Sequence, residues 1–321
     1  MNKKVTDIKI VFMGTPEFAV PSLKALYHEG FEILSVVTQP DRPRGRGRSC
    51  RPSPVKVSAL DLGLSILQPE KASSPEFIEE ICALKPDFLV VVAYGQILKK
   101  SLLECPTIMP VNVHGSLLPK YRGAAPIQWS ILNGDETTGI TIMQMDEGMD
   151  TGPILLMEEV SIGTDETFGE LYNRLSQLGA RLLVHALKEV ANGKLSPKPQ
   201  PTDGVSYAPP IKKELLKIDW NESSSLITRK IRAFDPRPGA WTVLLGERVR
   251  LFSPEIVDFS LSDLQDAIPG QIISTSSGKL IVRTGDGAVG VSEIHPPGKR
   301  RMAVSDFLRG RKVEVGTRLG E

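Results

Sequence analysis

Within five residues the stretch Val111-Asn112-Val113-His114-Gly115-Ser116-Leu117-Leu118-Pro119 delivers an amide, an imidazole and a hydroxyl to the end of an apolar run. Asn112 and His114 are two apart, so on a continuing strand both side chains leave the same face. An amide donor beside an imidazole suits a carbonyl oxygen that is becoming an oxyanion. The same pair could also finish a strand by hydrogen-bonding loop backbone, and the motif alone leaves both readings open. A second concentration, Asp146-Glu147-Gly148-Met149-Asp150-Thr151-Gly152, places three carboxylates in a Gly-bearing turn. Too few of the spaced oxygen positions of an EF-hand loop are met to expect calcium. That leaves Asp150 as a general base or electrostatic partner of His114, or as a turn-former bonding its own backbone. The third concentration is basic: residues 40–56 carry six positive groups, among them Arg42, Arg44, Arg46 and Arg48, against Asp41 alone. Such a density of Pro, Gly and like charge reads as an exposed loop, neither strand nor helix. It could bond phosphates bidentately through its arginines, or be a solvated charge run.

The elements around these residues follow a β/α alternation. Ile8 to Met13 make a short apolar run ending in Gly14-Thr15-Pro16; Phe18, Leu23, Leu26 and Tyr27 then mark one helix face closed by Gly30, and Ile33 to Thr38 a second strand. The first turn has no GxGxxG, so NAD is not expected. Val55 to Gly63 and Glu76 to Leu84 read as helices, Ser65 to Gln68 and Phe88 to Ala93 as strands, and the alternation continues through the Asn112 strand. Ala124 to Leu132 make a helix, Ile140 to Met145 and Ile154 to Val160 strands, and Thr167 to Ala191 a long amphipathic helix with Leu171, Leu175, Leu178, Leu182, Leu183 and Leu187 on one face. In an open α/β sheet, ligands bind in the crevice at the carboxyl ends of the strands, where Asn112 and His114 fall. Pro197, Pro199, Pro201, Pro209 and Pro210 then give residues 192–210 the composition of an extended linker. Beyond it, one helix from Ser223 to Phe234 precedes five short runs between 240 and 294 separated by turn residues, the pattern of a small β-barrel. The expected division is residues 1–191, a linker 192–210, and a C-terminal domain 211–321.

At 321 residues the chain exceeds what a single core commonly supports, and 40% hydrophobic with 24% charged residues describes an ordinary soluble protein. No apolar run reaches bilayer length and the start enters a strand directly, so no membrane association and a cytoplasmic location are expected. Cys50, Cys82 and Cys105 are widely spaced without CxxC, which suggests neither a disulfide framework nor zinc. The formal charge of +1 is uneven: residues 208–321 hold 18 Lys/Arg against 14 Asp/Glu, the remainder 21 against 24. His28, His185 and His295 sit in contexts that read as structural.

Taken together, Gly14-Thr15-Pro16-Glu17-Phe18, Gln39-Pro40-Asp41-Arg42-Pro43, the run from Asn112 through Ser116-Leu117-Leu118-Pro119 to Pro126, and the turn Asp146 to Gly152 resemble the family of methionyl-tRNA formyltransferases. The resemblance spans the whole chain. It implies an α/β fold, with a Rossmann-like formyltransferase domain followed by a small β-barrel domain similar to an OB-fold. It also implies transfer of the formyl group of 10-formyltetrahydrofolate, as co-substrate, to the amino group of methionyl initiator tRNA, without a metal. The family's catalytic trio maps onto Asn112, His114 and Asp150, its folate contact onto Ser116, Leu117, Leu118 and Pro119, and its tRNA-entering insertion onto Arg42 to Arg51. In that chemistry Asn112 and His114 steady the developing oxyanion, while Asp150 orients His114 and receives the amine proton through water. A monomer is expected. One departure is Phe234-Asp235-Pro236-Arg237-Pro238, with Asp235 and Arg237 where Asn and an aromatic are expected. Formyltransferases acting on glycinamide ribonucleotide or sugar nucleotides, the hydrolase part of formyltetrahydrofolate dehydrogenase, and a silent RNA-binding protein remain as competing readings.

Overall fold

The computed structural model describes residues 3–44, 49–259 and 266–320. The chain divides into two compact units: Met1–Pro126, Thr137–Ser161 and Tyr172–Ala208 form the first, and Ile127–Glu136, Ile162–Leu171 and Pro209–Glu321 the second.

In chain order the elements of the first part are β1 (Lys9–Gly14), α1 (Val20–Glu29), β2 (Glu32–Val37), β3 (Arg42–Arg44), β4 (Ser49–Arg51), α2 (Pro54–Asp61), β5 (Ile66–Leu67), α3 (Pro75–Ala83), β6 (Phe88–Val92), α4 (Lys100–Leu103), β7 (Met109–His114) and β8 (Arg122–Gly123). There follow α5 (Pro126–Asn133), β9 (Thr137–Gln144), β10 (Ile154–Ser161), α6 (Phe168–Ala191) and β11 (Tyr207–Ala208). Seven strands make one sheet in the order β10-β9-β7-β6-β1-β2-β5. From β7 to β5 neighbouring strands are parallel, whereas β9 runs antiparallel to both β7 and β10. Successive strands leave β1 first toward β2 and later toward β6, so the chain reverses direction beside β1 and opens a crevice at the carboxyl ends there.

Local chemistry explains the helix starts. Ser53 and Ser74 each accept a hydrogen bond from the amide three residues on and are followed by Pro54 and Pro75, whose missing N–H costs nothing at that position. Thr167 and Glu170 form a reciprocal capping box at the start of α6: Glu170 N donates to Thr167 Oγ1 (3.3 Å) and Thr167 N to Glu170 Oε2 (2.9 Å).

One face of the sheet packs Val11, Met13, Val37, Leu89 and Val91 against Phe77, Ile81 and Leu102. On β7, Val113 faces α6, where a Cβ added to Gly179 would lie 2.8 Å from Val113 Cγ1. Replacing Gly179 by Ala therefore sets a helix-propensity gain of about 1 kcal/mol against an overpacking cost of about 1–3 kcal/mol. A net loss of roughly 1 kcal/mol is expected, read as a lowered midpoint in urea; a raised midpoint would show that α6 can move aside.

Two expectations need correction. Residues 42–44 and 49–51 pair as an antiparallel hairpin, Arg42 opposite Arg51, where an irregular loop was expected. A ribbon of this kind requires only backbone pairing, so side-chain charge does not forbid it. Cys82, in the last turn of α3, and Cys105, just after α4, are joined in a disulfide with Cα atoms 4.8 Å apart. Their separation of 23 residues carried no hint of this, because the tertiary packing of α3 and α4 brings them together.

The second unit continues with α7 (Ser224–Ala233), β12 (Trp241–Leu244), β13 (Glu247–Val257), β14 (Ile272–Ser274), β15 (Leu280–Arg283), β16 (Ala288–His295), β17 (Met302–Ala303) and α8 (Val304–Gly310). Its strands form one antiparallel sheet in the order β12-β13-β16-β15-β14, with β17 on β16, the small β domain expected after residue 210. The short helix α8, anchored by buried Val304 and Phe307, was not anticipated from its composition. Asp235 is buried and forms a bidentate pair with Arg301 (2.7 and 3.2 Å), which also reaches Glu293 and lies 4.2 Å above the Phe252 ring. The departure at position 235 thus comes with its own counter-ion.

Candidate active site

The carboxyl ends of the central strands are tied together through one carbonyl. Ala93 and Gly95 both take positive φ (+48° and +91°) around Tyr94, and the Tyr94 oxygen accepts from Thr15 Oγ1 (2.9 Å) and Gln39 Nε2 (3.3 Å). Gln96 extends the tie by donating to Gln39 Oε1 and accepting from Ala72 N. The loops after β1, β2 and β6 are thereby fixed. At the root of the β3–β4 hairpin, Lys56 Nζ bonds Asp41 (2.7 Å) and Gln68 (2.7 Å); the Lys56 and Gln68 hydrogen bonds hold the Asp41 carboxyl below the usual range.

Because Val113 points to α6, Asn112 and His114 occupy the opposite face of β7, beside Met143 and Thr141 of β9. Asn112 is half-buried, and its amide makes no hydrogen bond within the described residues. His114 is buried. Its Nε2 lies 2.9 Å from the Tyr121 carbonyl, which can only accept, so Nε2 carries a proton. Nδ1 lies 3.6 Å from Asp150 Oδ2, within ion-pair distance but beyond a direct hydrogen bond. A cationic ring has an acceptor at each nitrogen here. A neutral ring directs the Nδ1 lone pair at the carboxylate, an arrangement that a bridging donor relieves.

The carboxylates of the 146–152 turn divide their work. Asp146 Oδ1 accepts from Gly148 N (3.1 Å) and Thr151 Oγ1 (2.7 Å), and is the turn-former. Asp150 instead turns inward: its Oδ2 accepts from Gly123 N at 2.8 Å while facing His114, and its backbone is left-handed at φ +54°. Gly152 is needed for the chain to return, since a Cβ there would lie 1.9 Å from the Gln144 carbonyl oxygen. His114 and Asp150 thus meet at the end of β7, with Asn112 on the same strand face two residues before His114.

The Ser116–Pro119 run is held from inside. Ser116 Oγ donates to Lys120 O (2.6 Å), Thr141 Oγ1 donates to Ser116 O (2.6 Å) and accepts from Leu118 N (3.1 Å), and Leu118 is buried. Leu117 is half-exposed beside Gly139. Among the basic residues, Arg42 is exposed; Arg46 and Arg48 lie outside the described residues, as does the side chain of Arg44.

Four residues that sequence reasoning passed over support this site. Thr141 was visible as a polar residue inside the apolar strand Ile140-Thr141-Ile142. Arg122 lay within the run that carries the family resemblance but was given no role, and Gln200 and Ser206 had no such signal. Ser206 Oγ accepts from Tyr121 N (2.9 Å), holding the residue whose carbonyl engages His114. Among the described residues no group of three His, Cys, Asp or Glu is placed to hold a metal ion, and no helix is long and apolar enough to cross a membrane.

Comparison with known proteins assigns the class. Residues 8–187 match the formyl transferase family profile and residues 210–312 the profile of the formyl transferase C-terminal domain. Solved structures share the fold: a HypX of Aquifex aeolicus in complex with tetrahydrofolic acid (TM-score 0.64, 19% identity, 97% of this chain and 50% of that one) and WlaRD, a sugar 3N-formyl transferase (0.65, 21%, 91% and 98%). The fold and both domains are those of a formyl transferase. Over almost its whole length the chain is 46% identical to the methionyl-tRNA formyltransferase of Ruminiclostridium cellulolyticum, covering 98% of this chain and 100% of the relative. It is also 46% identical to that of Thermodesulfovibrio yellowstonii, over 96% and 97%. The chain belongs to the methionyl-tRNA formyltransferase family.

Proposed function

We propose that this chain transfers the formyl group of 10-formyltetrahydrofolate to the amino group of methionyl initiator tRNA, giving formylmethionyl-tRNA for translation initiation in the cytoplasm. The observation that carries the reading is the meeting of His114 with Asp150 at the end of the strand that carries Asn112, in a chain related over almost its full length to methionyl-tRNA formyltransferases. The amine attacks the formyl carbon, the C=O electrons move onto oxygen, and the intermediate collapses as the folate nitrogen departs, protonated by the proton that the methionyl amine gave up. The free Asn112 amide donates to the oxyanion, His114 adds a donor at Nδ1 when its ring is cationic, and Asp150 takes up the amine proton through water. The folate contact expected at Ser116, Leu117, Leu118 and Pro119 falls chiefly on half-exposed Leu117, because the Ser116 and Leu118 side chains are committed to the loop interior. The protein acts as a monomer. A mass-spectrometric assay offering the folate donor with methionyl-tRNA, a sugar nucleotide and glycinamide ribonucleotide tests the reading: formylated tRNA is expected, and formylation of a small acceptor alone would overturn it.

Arg42, Arg44, Arg46 and Arg48 hold tRNA phosphates in this reading, with the C-terminal unit as a second surface. Replacing all four by Ala should weaken tRNA binding and flatten its log–log salt dependence by about 0.7–0.9 for each phosphate that the variant no longer neutralises. Calorimetry with the folate donor alone should show no change. An unaltered salt slope in the folded fourfold variant would place the RNA elsewhere.

A further inference from the structure

Asp150 is aimed by a residue from a distant segment. Gln200 lies in the Pro-rich stretch after α6, yet its Nε2 donates to the carbonyl oxygens of both Asp150 and Gly152 at 2.8 Å, and its Oε1 accepts from Arg122 Nε (3.2 Å) and Nη2 (2.7 Å). The amide orientation is unambiguous, since carbonyls only accept and a guanidinium only donates. Three features converge here. Asp150 holds a left-handed backbone that a non-glycine residue keeps only when its surroundings enforce it. Gly123, whose N–H bonds the Asp150 carboxylate, directly follows Arg122, which anchors Gln200. The same stretch is fixed on either side, by the Ile154–Lys198 backbone pairing and by β11 beside β8.

We propose that Gln200, anchored by Arg122, is a positioning residue for formyl transfer that clamps the Asp150 backbone so that the carboxylate faces His114. This rests on the reading of His114 and Asp150 as the catalytic pair. Gln200 touches neither carboxylate nor imidazole; it acts through the backbone, in the way that outer partners orient metal ligands, where removal costs roughly 10–100-fold.

The test is a double-mutant cycle in the full-length enzyme, with His114→Ala as reference. Gln200→Ala should lower kcat by roughly 10-fold or more with KM for tRNA and folate little changed. In an Asp150→Ala background the same substitution should cost nothing further, because its effect passes through Asp150. Gln200→Glu, nearly isosteric, keeps the acceptor for Arg122, offers one O–H donor while protonated and none once ionised, so its kcat relative to wild type should fall as pH rises through the carboxylate range. That variant carries the test if Gln200→Ala does not fold. A pH-independent kcat ratio for Gln200→Glu, a fully additive loss in the cycle, or normal kcat in Gln200→Ala while His114→Ala is impaired would overturn the clamp and leave the catalytic pair standing. Normal kcat in both Gln200→Ala and His114→Ala would overturn the catalytic reading itself.

Discussion

His114→Ala is expected to lower kcat for formyl transfer by roughly 10²–10³-fold, the range found when one oxyanion donor is removed from a preorganised site. KM for tRNA should change little, because the imidazole acts mainly in the transition state. Asp150→Asn should be nearly as damaging: it retains an oxygen for the Gly123 amide but loses the negative charge facing Nδ1. Combining either with Asn112→Ala should cost less than the sum of the single effects, since the three groups act on one intermediate. Steady-state kinetics at saturating folate provide the measurement. A His114→Ala enzyme within a few fold of wild type would remove the imidazole from the mechanism.

Arg301→Ala should destabilise the second unit by roughly 3 kcal/mol, the scale for stripping the partner from a buried charge. Asp235 is only 4% exposed, and the guanidinium is what allows it to remain ionised there. Burial nevertheless pushes its carboxyl above the ordinary range, with Arg301 acting in the opposite direction. A carboxyl raised in the folded state contributes most below its unfolded pKa, and that contribution is lost as pH rises toward the folded value. Removing Arg301 raises the carboxyl further and widens this window, so the variant should suffer most near neutral pH. The Glu293 carboxyl, held low mainly by its bond to Arg301, acts in the same sense, since its pairing is lost as pH falls through its folded pKa. Urea unfolding at pH 7 and near pH 4.5 should show a smaller deficit at the lower pH, and Asp235→Asn in the Arg301→Ala background should recover part of the stability. An equal deficit at both pH values would mean the arginine acts by packing on Phe252 alone.

Periodicity and punctuation alone determined much of this protein. The β/α alternation through Asn112, the long leucine-striped α6, the Pro-rich stretch and the short strands after 240 were legible because burial on one face imposes a period and turns impose composition. The placement of Asn112 and His114 on one face followed from the same alternation along β7. What only the tertiary structure decided are relations between distant segments. Nothing local separates Asp146, which shapes its own turn, from Asp150, which faces His114; the difference lies in Gly123 and Gln200, residues 27 and 50 positions away. A run of prolines and polar residues reads as a linker whether or not its one glutamine is bonded to an active-site loop. The Cys82–Cys105 disulfide and the Asp235–Arg301 pair, 66 residues apart, are of the same kind. Local sequence carries conformational preference and periodic burial, whereas the aim of a side chain and the pairing of a charge depend on which remote groups folding brings within about 3 Å.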